Sequence, residues 1–405
     1  MKYKYNDIKI DYDFDIPLYE YQQRVTVLRQ KMKEKNIELG IAWGTQLFPG
    51  DIIYLTGFDI NLEVGALALI TQDQLMLLTG PEAFPAALMD IRNGEPFGVK
   101  ELGCPGIDYE RTPGLTTIKN CISKILHNEK PRKAAILTFP DFMSTLAFDR
   151  VKESLPTSTE LIYDTDIIFN QRIIKSSNEQ RLMIYASRIA VEGMKACLNN
   201  GHAGMMEVQW SASATARMRN LGAHALTFDP IIQSGIRMNT SIGKTYNKIV
   251  QEGEIISIGI GCRYKSYAGH VCRSTIVGKG SPEQKTFLRM GAEACKEAGL
   301  AVQYNTPMSN MDKASHRVFQ KFGYSQYDTY SCGHGTGFTD GVGEGAATQK
   351  TTGLWPKNIV MMADVSLSNV PNLYGFRFED GFLIDNDGKT IVLTEGINLD
   401  LLETN

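Results

Sequence analysis

Hydrophobic positions follow two different spacings along this chain. Before residue 170, short apolar runs alternate with turn signals, and these runs are LGIAW (39–43), IIYLTG (52–57), ALALI (66–70), QLMLLTG (74–80) and AAILTF (134–139). Apolar runs of four to eight residues bounded by turn residues are typical of strands. Between them, residues 17–37, 82–92 and 114–128 have patterns that predict helices. This alternation predicts an α/β domain over residues 1–170.

A longer helical period begins just after residue 170. Residues 177–198 repeat apolar side chains at helical spacing, and Ser177 with Gln180 is the expected capping pair at the start of this helix. Residues 254–278 are predicted to form a hairpin with its turn at 263–266. Helices are also predicted at 205–220, 282–300 and 309–322, and strands at 358–369, 376–385 and 389–394. This grouping predicts a second domain over residues 171–405, of α+β class, with a curved antiparallel sheet covered by helices.

Composition and charge narrow the class of protein. A chain of 405 residues is long enough for two hydrophobic cores. The net charge of −3 argues against a nucleic-acid or anionic-membrane partner, and no apolar run approaches the ~20 residues of a membrane span. The first residues lack the apolar stretch of a signal peptide, and the seven cysteines are scattered without a CxxC pair. We therefore expect a cytoplasmic protein with reduced thiols.

Four side chains able to bind a metal ion or to transfer a proton lie between residues 255 and 379. They are His270, His334, Asp364 and Glu379, and strand-like apolar runs surround them. Asp364 lies within MMADVSL, where a carboxylate needs a partner. Because Glu379 and Asp380 are neighbours in a predicted strand, their side chains point to opposite faces. Polar groups on several adjacent strands predict a site on one face of a sheet.

Five sequence frames carry a resemblance to a known family. They are IKSSNE (174–179), FDPIIQSG (228–235), GCRYKSYAG (261–269), GHGTGF (333–338) and FRFEDG (376–381). In this order and spacing they resemble the pita-bread family, which holds methionine aminopeptidase, prolidase, aminopeptidase P and creatinase. The resemblance implies a pita-bread catalytic domain over residues 171–405. It also implies a creatinase-type N-terminal domain over residues 1–170.

The chain departs from the peptidases of that family at the positions of their metal ligands. Those enzymes bind two divalent ions through two aspartates, one histidine and two glutamates. The matching positions here are Gly259, His270, His334, Asp364 and Glu379. Gly259 has no donor atom, and an imidazole at the bridging position joins two ions poorly. Two further histidines of the peptidases fall on Ile242 and Gly341.

These departures predict that a dinuclear metal centre is absent. We expect catalysis without a metal cofactor. The alternative is one divalent ion, such as zinc, iron or manganese, held by His270, His334, Asp364 and Glu379.

Four residues are candidates for substrate binding: Glu63, Glu344, Arg377 and Cys272. Glu63 and Glu344 lie at or beside the positions of two creatinase arginines, one of which binds the substrate carboxylate, so acids there favour a cationic substrate. Cys272 follows His270 by two residues and can share its face. The simpler alternatives are core packing for Cys272 and a buried ion pair of Glu379 with Arg377 or Arg273.

The expected function is creatinase-like hydrolysis of a C–N bond in a small, cationic or amidine- or amino-acid-like substrate. His334 would act as acid and base, and Asp364 and Glu379 would orient it or activate water. The alternatives are a mononuclear metal hydrolase or lyase, an Xaa-Pro aminopeptidase or prolidase, and a non-catalytic binding protein. The resemblance also implies a homodimer in which each N-terminal domain contributes to the neighbouring active site.

Overall fold

The computed structural model describes residues 10–60, 64–341, 343–399 and 402–404. They divide into two compact units, Ile16–Arg172 and Ile173–Asn405, and the described residues before Ile16 group with the second unit. The division into domains 1–170 and 171–405 stays a proposal. None of the described helices is long and apolar enough to span a membrane.

A mixed sheet forms the centre of the unit Ile16–Arg172. Its strands are β1 (Leu39–Gly44), β2 (Ala66–Ile70), β3 (Leu75–Thr79), β4 (Glu95–Gly98), β5 (Lys133–Ile136) and β6 (Glu160–Tyr163). They lie in the order β4-β3-β2-β1-β5-β6, with β1–β2 and β2–β3 antiparallel and the other pairs parallel. The helices are α1 (Leu18–Glu34), α2 (Gly50–Thr56), α3 (Phe84–Asp90), α4 (Ile118–Ile125), α5 (Thr145–Ser154) and α6 (Asp166–Ile173). The predicted α/β architecture is confirmed.

One predicted strand of this unit is a helix. The run IIYLTG, expected as a strand over 52–57, forms most of α2. All seven residues of α2 are buried, so the run is apolar on every side and its pattern has no period of two or of 3.6. Gly57 then ends the helix in the left-handed conformation, at φ 75°.

The second unit is built on one large sheet. Its long strands are β9 (Ile255–Tyr264), β10 (Tyr267–Val277), β13 (Ile359–Val370) and β14 (Tyr374–Ile384). The short strands are β7 (Ala225–Leu226), β8 (Ile231–Ser234), β11 (Gly333–Gly335), β12 (Ala346–Ala347), β15 (Thr390–Val392) and β16 (Glu403–Thr404). The main order is β12-β11-β13-β14-β10-β9-β7, and every neighbouring pair along it is antiparallel. The hairpin predicted over residues 254–278 is confirmed as β9 and β10.

The described helices that accompany this sheet are α7 (Ser177–Asn200), α8 (Glu207–Asn220), α9 (Pro282–Leu300) and α10 (Asn310–Phe322). A Cβ atom on Gly269 of β10 would lie 2.2 Å from the backbone nitrogen of Ser187, so glycine is what lets α7 approach this strand. Phe376 and Phe378 of β14 are fully buried in the core cluster that includes much of α9. The predicted α+β class is confirmed.

The N-terminus of α7 is capped one residue earlier than expected. Ser176, not Ser177, is the N-cap residue, and its side chain accepts a hydrogen bond from the backbone N–H of Glu179. The Glu179 carboxylate in turn accepts from the backbone N–H of Ser176. This reciprocal pair satisfies two N–H groups that the first turn leaves without helical partners.

Candidate active site

A single row of paired residues crosses four strands and defines the centre of the site. Gly259 on β9 pairs with Cys272 on β10, Cys272 pairs with Glu379 on β14, and Glu379 pairs with Asp364 on β13. His270 stands two residues from this row, opposite Gly261. The register therefore places Gly259, Glu379 and Asp364, three of the five ligand positions of the family, in one line across the sheet.

The pleat of β14 selects which of its charged side chains face the site. Arg377 and Glu379 are two residues apart, so they share a face, whereas Asp380 points the other way and pairs with Arg273 at 2.7 Å. The expected opposition of Glu379 and Asp380 is thus confirmed. Of the two arginines considered as partners of Glu379, it is Arg377 that lies beside it.

Arg377 holds the carboxylates of the site together. Its Nε and Nη2 donate to the two oxygens of Asp364 at 2.7 and 2.9 Å, and Nη2 lies 3.4 Å from Oε2 of Glu379. Burial disfavours the charged guanidinium, but Asp364 and Glu379 outweigh that effect and raise the pKa of Arg377 well above its ordinary value. Asp364 is therefore a satisfied buried carboxylate in a two-pronged ion pair, the strongest geometry such a pair adopts.

Gly259 packs against the remaining nitrogen of Arg377, Nη1. A Cβ atom at position 259 would lie 3.2 Å from Nη1 of Arg377. That nitrogen is buried and makes no hydrogen bond to any described residue. The position at which the family's peptidases carry an aspartate is thus a glycine packed against a cationic side chain.

His334 lies on β11, opposite Met362 of β13, and faces three carboxylates. Its Nε2 is 3.3 Å from Oε1 of Glu379 and 3.9 Å from Oδ2 of Asp364, and its Nδ1 is 3.6 Å from Oδ1 of Asp340. Burial alone would lower the pKa of His334, but Asp340, Glu379 and Asp364 together raise it to about 10. The neighbouring carboxylates therefore favour the protonated ring, which is the form that can donate a proton.

Asp340 is a site residue that the sequence reasoning missed. It lies in the glycine-rich segment after β11, which folds back through a bridge between Thr336 and Asp340. Its Oδ1 comes within 3.0 Å of Nε2 of His270. Burial would raise the pKa of Asp340, but His270 and His334 hold it below its usual value. The signal was an acidic residue within GTGFTDGVGEG, in reach of His334 only because the segment turns back.

The expected donor set fits a metal site only in part. Two groups of side chains have potential ligand atoms within 4.8 Å of one another: His270, Asp340 and Glu379, and His334, Asp364 and Glu379. A two-metal centre does not fit, because Gly259 offers no donor and both oxygens of Asp364 are already bound by Arg377. A single ion does fit the first group, whose buried nitrogen and oxygen atoms are ligands that zinc and related metals accept.

Cys272 lies in the row of paired residues, but its surroundings are those of a packing residue. It is fully buried, and its Sγ lies 3.4 Å from both the hydroxyl of Ser257 and the carbonyl oxygen of Arg377. Burial raises the pKa of the Cys272 thiol to about 12. A protonated, buried thiol is a packing group rather than a nucleophile.

Glu344, one of the two acids expected to favour a cationic substrate, already has partners within the fold. Glu344 is buried, accepts from the backbone N–H of Phe338 at 3.1 Å and lies 3.6 Å from the ammonium of Lys175. It therefore already has cationic and N–H partners within the fold.

Glu63, the other acid expected to favour a cationic substrate, lies outside the described residues. At one of the two lost histidine positions, Ile242 is 66% exposed.

Known proteins similar to this chain are prolidases and aminopeptidases. Xaa-Pro dipeptidases of Pyrococcus horikoshii and Pyrococcus furiosus are each 28% identical to it, over 241 and 231 residues. Each match covers 57% of this chain, and it spans 65% and 66% of the two relatives, just under two thirds of their length.

Solved structures share the fold along almost the whole chain. An X-Pro aminopeptidase from Thermotoga maritima MSB8 superposes with a TM-score of 0.79 at 21% identity, covering 94% of this chain and 99% of that one. A prolidase from Pyrococcus horikoshii OT3 gives the same TM-score and identity over 93% and 99%. At this identity the likeness establishes the fold alone, and it confirms the pita-bread architecture.

A family description matches the part of the chain that carries the site. Residues 181–386 match metallopeptidase family M24, and this range includes Gly259, His270, His334, Asp364 and Glu379. The resemblance drawn from the five sequence frames is thereby confirmed. Because the match covers half of the chain, this protein belongs to metallopeptidase family M24.

Proposed function

We propose that this chain is a hydrolase that cleaves the C–N bond of a short peptide, with Xaa-Pro dipeptides as its substrate class. The observation that carries the proposal is the close pair of His334 and Glu379, 3.3 Å apart, at the two ligand positions that this M24 chain retains. Its relatives named Xaa-Pro dipeptidases favour this alternative over the creatinase-like reaction expected first.

Glu379, His334 and Arg377 have different roles in the proposed hydrolysis. Glu379 places its buried Oε1 3.3 Å from Nε2 of His334, where it can accept a proton from an attacking water. His334 can give a proton to the leaving nitrogen. Arg377 neutralises Asp364 and keeps a positive charge beside the reacting groups, which favours an anionic transition state in a dry site.

Metal-free hydrolysis of a small C–N compound, as in creatinase, is a second candidate. The observation that favours it is the contact between Gly259 and Arg377, which removes a donor and adds a fixed cation where the peptidases need aspartate. The preference for cationic substrates is not part of this candidate, because Glu344 is buried beside Lys175.

A substrate screen tests the proposal. Purified protein is incubated with Xaa-Pro dipeptides, Xaa-Pro-Xaa tripeptides, amidines, lactams and cyclic amino acids, each after chelation and after addition of Zn²⁺, Mn²⁺ or Fe²⁺. We expect release of proline from dipeptides, detected by mass spectrometry. Turnover of amidines or lactams alone would replace the proposal with the creatinase-like one, and turnover of nothing would replace it with a binding role.

A matched pair of histidine variants assigns the activity to this site. His334→Gln should lower kcat/KM by about 10²–10⁴-fold, the usual contribution of a general acid or base. His316→Gln removes another histidine paired with an aspartate, at 2.6 Å from Asp328 on the same unit, and should leave kcat/KM unchanged. Equal losses in both variants would assign the effect to folding instead.

We also propose that the chain acts as a cytoplasmic homodimer whose N-terminal domain contributes to the neighbouring site. The support is the family's fold, shared along nearly the whole chain with the two solved relatives. Light scattering during size-exclusion chromatography should give twice the 45.0 kDa chain mass. A monomer that retains turnover would contradict the dimer.

A further inference from the structure

Several buried polar atoms of the site converge without making hydrogen bonds. Both ring nitrogens of His270 lack a hydrogen-bond partner among the described residues, although the residue is fully buried. The same holds for Oδ1 of Asp340 and Oε1 of Glu379. A buried polar group without a hydrogen-bond partner destabilises the fold, so several such atoms in one place indicate a site where something binds.

The spacing of these atoms suits ligands of one cation. Nε2 of His270 and Oδ1 of Asp340 approach to 3.0 Å but lack hydrogen-bond geometry. Together with an oxygen of Glu379, they form a group whose members all lie within 4.8 Å of one another. Two ligands about 2.1 Å from one tetrahedral ion lie about 3.4 Å apart, so the group needs only small side-chain movements to close around an ion.

The charges of the site call for one divalent ion rather than two. Three carboxylates, Asp340, Asp364 and Glu379, surround one permanent cation, Arg377. The three carboxylates and Arg377 together carry a charge of −2, which one divalent ion offsets when His270 binds it in the neutral form, as a metal ligand must. A second divalent ion would leave an excess of positive charge in a buried site, which is strongly unfavourable.

Arg377 decides which of the two candidate ligand groups is available. Its bidentate contact occupies both oxygens of Asp364, which weakens the group of His334, Asp364 and Glu379 as a metal site. Arg377 lies farther, at 3.4 Å, from Oε2 of Glu379 and leaves the Oε1 atom of that carboxylate without a hydrogen bond from any described residue. We propose that His270, Asp340 and Glu379 bind one divalent transition-metal ion, and that Arg377 provides the remaining positive charge of the site. The inference rests on the proposed function only for what the ion does, not for where it binds.

Direct binding of the metal alone tests this ligand set. Protein dialysed against a chelator is titrated with Zn²⁺ by calorimetry and with Co²⁺ by its visible absorption, which reports the ligand geometry. We expect one ion per chain. Asp340→Asn should weaken binding by more than about tenfold, the loss that follows removal of even an outer-shell partner.

A second aspartate gives the matched control. Asp328→Asn disrupts the His316–Asp328 pair in the same unit, where no third ligand is found among the described residues, and it should bind Zn²⁺ as the parent does. Thermal melts in chelator check that each variant folds. If Asp340→Asn does not fold, Asp340→Glu keeps a carboxylate and should retain one ion with an altered Co²⁺ spectrum.

The outcomes separate this inference from the proposed function. The inference is overturned if the parent protein binds no ion or two ions, or if folded Asp340→Asn binds Zn²⁺ with unchanged affinity. It is also overturned if Asp364→Asn loses the ion while Asp340→Asn keeps it. Binding of one ion through Asp340 without turnover of any peptide would leave the inference standing and contradict the proposed function. Peptide turnover by protein that binds no ion would support the proposed function and contradict the inference.

Discussion

At the scale of single residues, Gly259 and Arg377 define what the site can bind. The glycine lacks a side chain at a position where the peptidases of the family have a ligand, and the arginine packs against it with one nitrogen that has no partner among the described residues. The loss of the donor was visible in the sequence as a glycine in a family frame. The arginine's position was not, because only the register of β9, β10 and β14 brings the two residues together.

Replacing Gly259 tests this pairing. An aspartate at position 259 would place a carboxylate beside Nη1 of Arg377, whereas alanine would add the same Cβ atom, 3.2 Å from that nitrogen, without the charge. We expect Gly259→Asp to exceed Gly259→Ala in free energy of unfolding by about 1.5–3 kcal/mol, the range for a hydrogen bond to a charged group. Chemical denaturation of both variants measures the difference, and an equal or more stable alanine variant would contradict the pairing.

Cys272 gives a second prediction at this scale. Because its thiol is buried and its pKa is raised to about 12, it should resist alkylation by iodoacetamide at neutral to mildly alkaline pH in the folded protein. We expect Cys272→Ala to retain activity. Peptide mapping by mass spectrometry after labelling, with denatured protein as the positive control, measures the reactivity. Rapid labelling of Cys272 together with inactivation would restore the nucleophile hypothesis.

At the scale of elements, the alternation of β14 was readable from the sequence and the loop after β11 was not. In FRFED, the period of two predicts that Glu379 and Asp380 face opposite ways, and they do. Asp340 could not be placed in this manner, because an irregular glycine-rich segment has no period. The strand prediction for residues 52–57 was wrong for a related reason, because a short, wholly apolar run fits a buried helix as well as a strand.

The cap of α7 gives a prediction that separates two adjacent serines. Ser176→Ala removes the side-chain acceptor for the N–H of Glu179 and should lower the free energy of unfolding by about 1 kcal/mol. Ser177→Ala lies at the first helical residue and should change it by less than about 0.5 kcal/mol. Denaturant titration measures both. The reverse order would return the cap to Ser177, where the sequence pattern alone predicts it.

At the scale of the whole molecule, the chain keeps the family's fold while its site has changed. The two fold classes followed from the order of predicted helices and strands, and the five sequence frames were enough to indicate the family. The substrate could not be predicted from the sequence, because the contacts that select it depend on side chains from separate loops and, in the proposed homodimer, on a neighbouring chain. The metal content did not follow either, because the new acid, Asp340, replaces no ligand of the family frames.

The residues present at this site do not fit a two-metal centre, because Gly259 offers no donor and Arg377 binds both oxygens of Asp364. Crystals grown from chelated protein and soaked in Mn²⁺ or Zn²⁺ would locate each ion by its anomalous scattering. We expect at most one ion, in contact with His270, Asp340 and Glu379, with Arg377 still bound to Asp364. Two ions bridged by a shared ligand, with Arg377 displaced from Asp364, would contradict it.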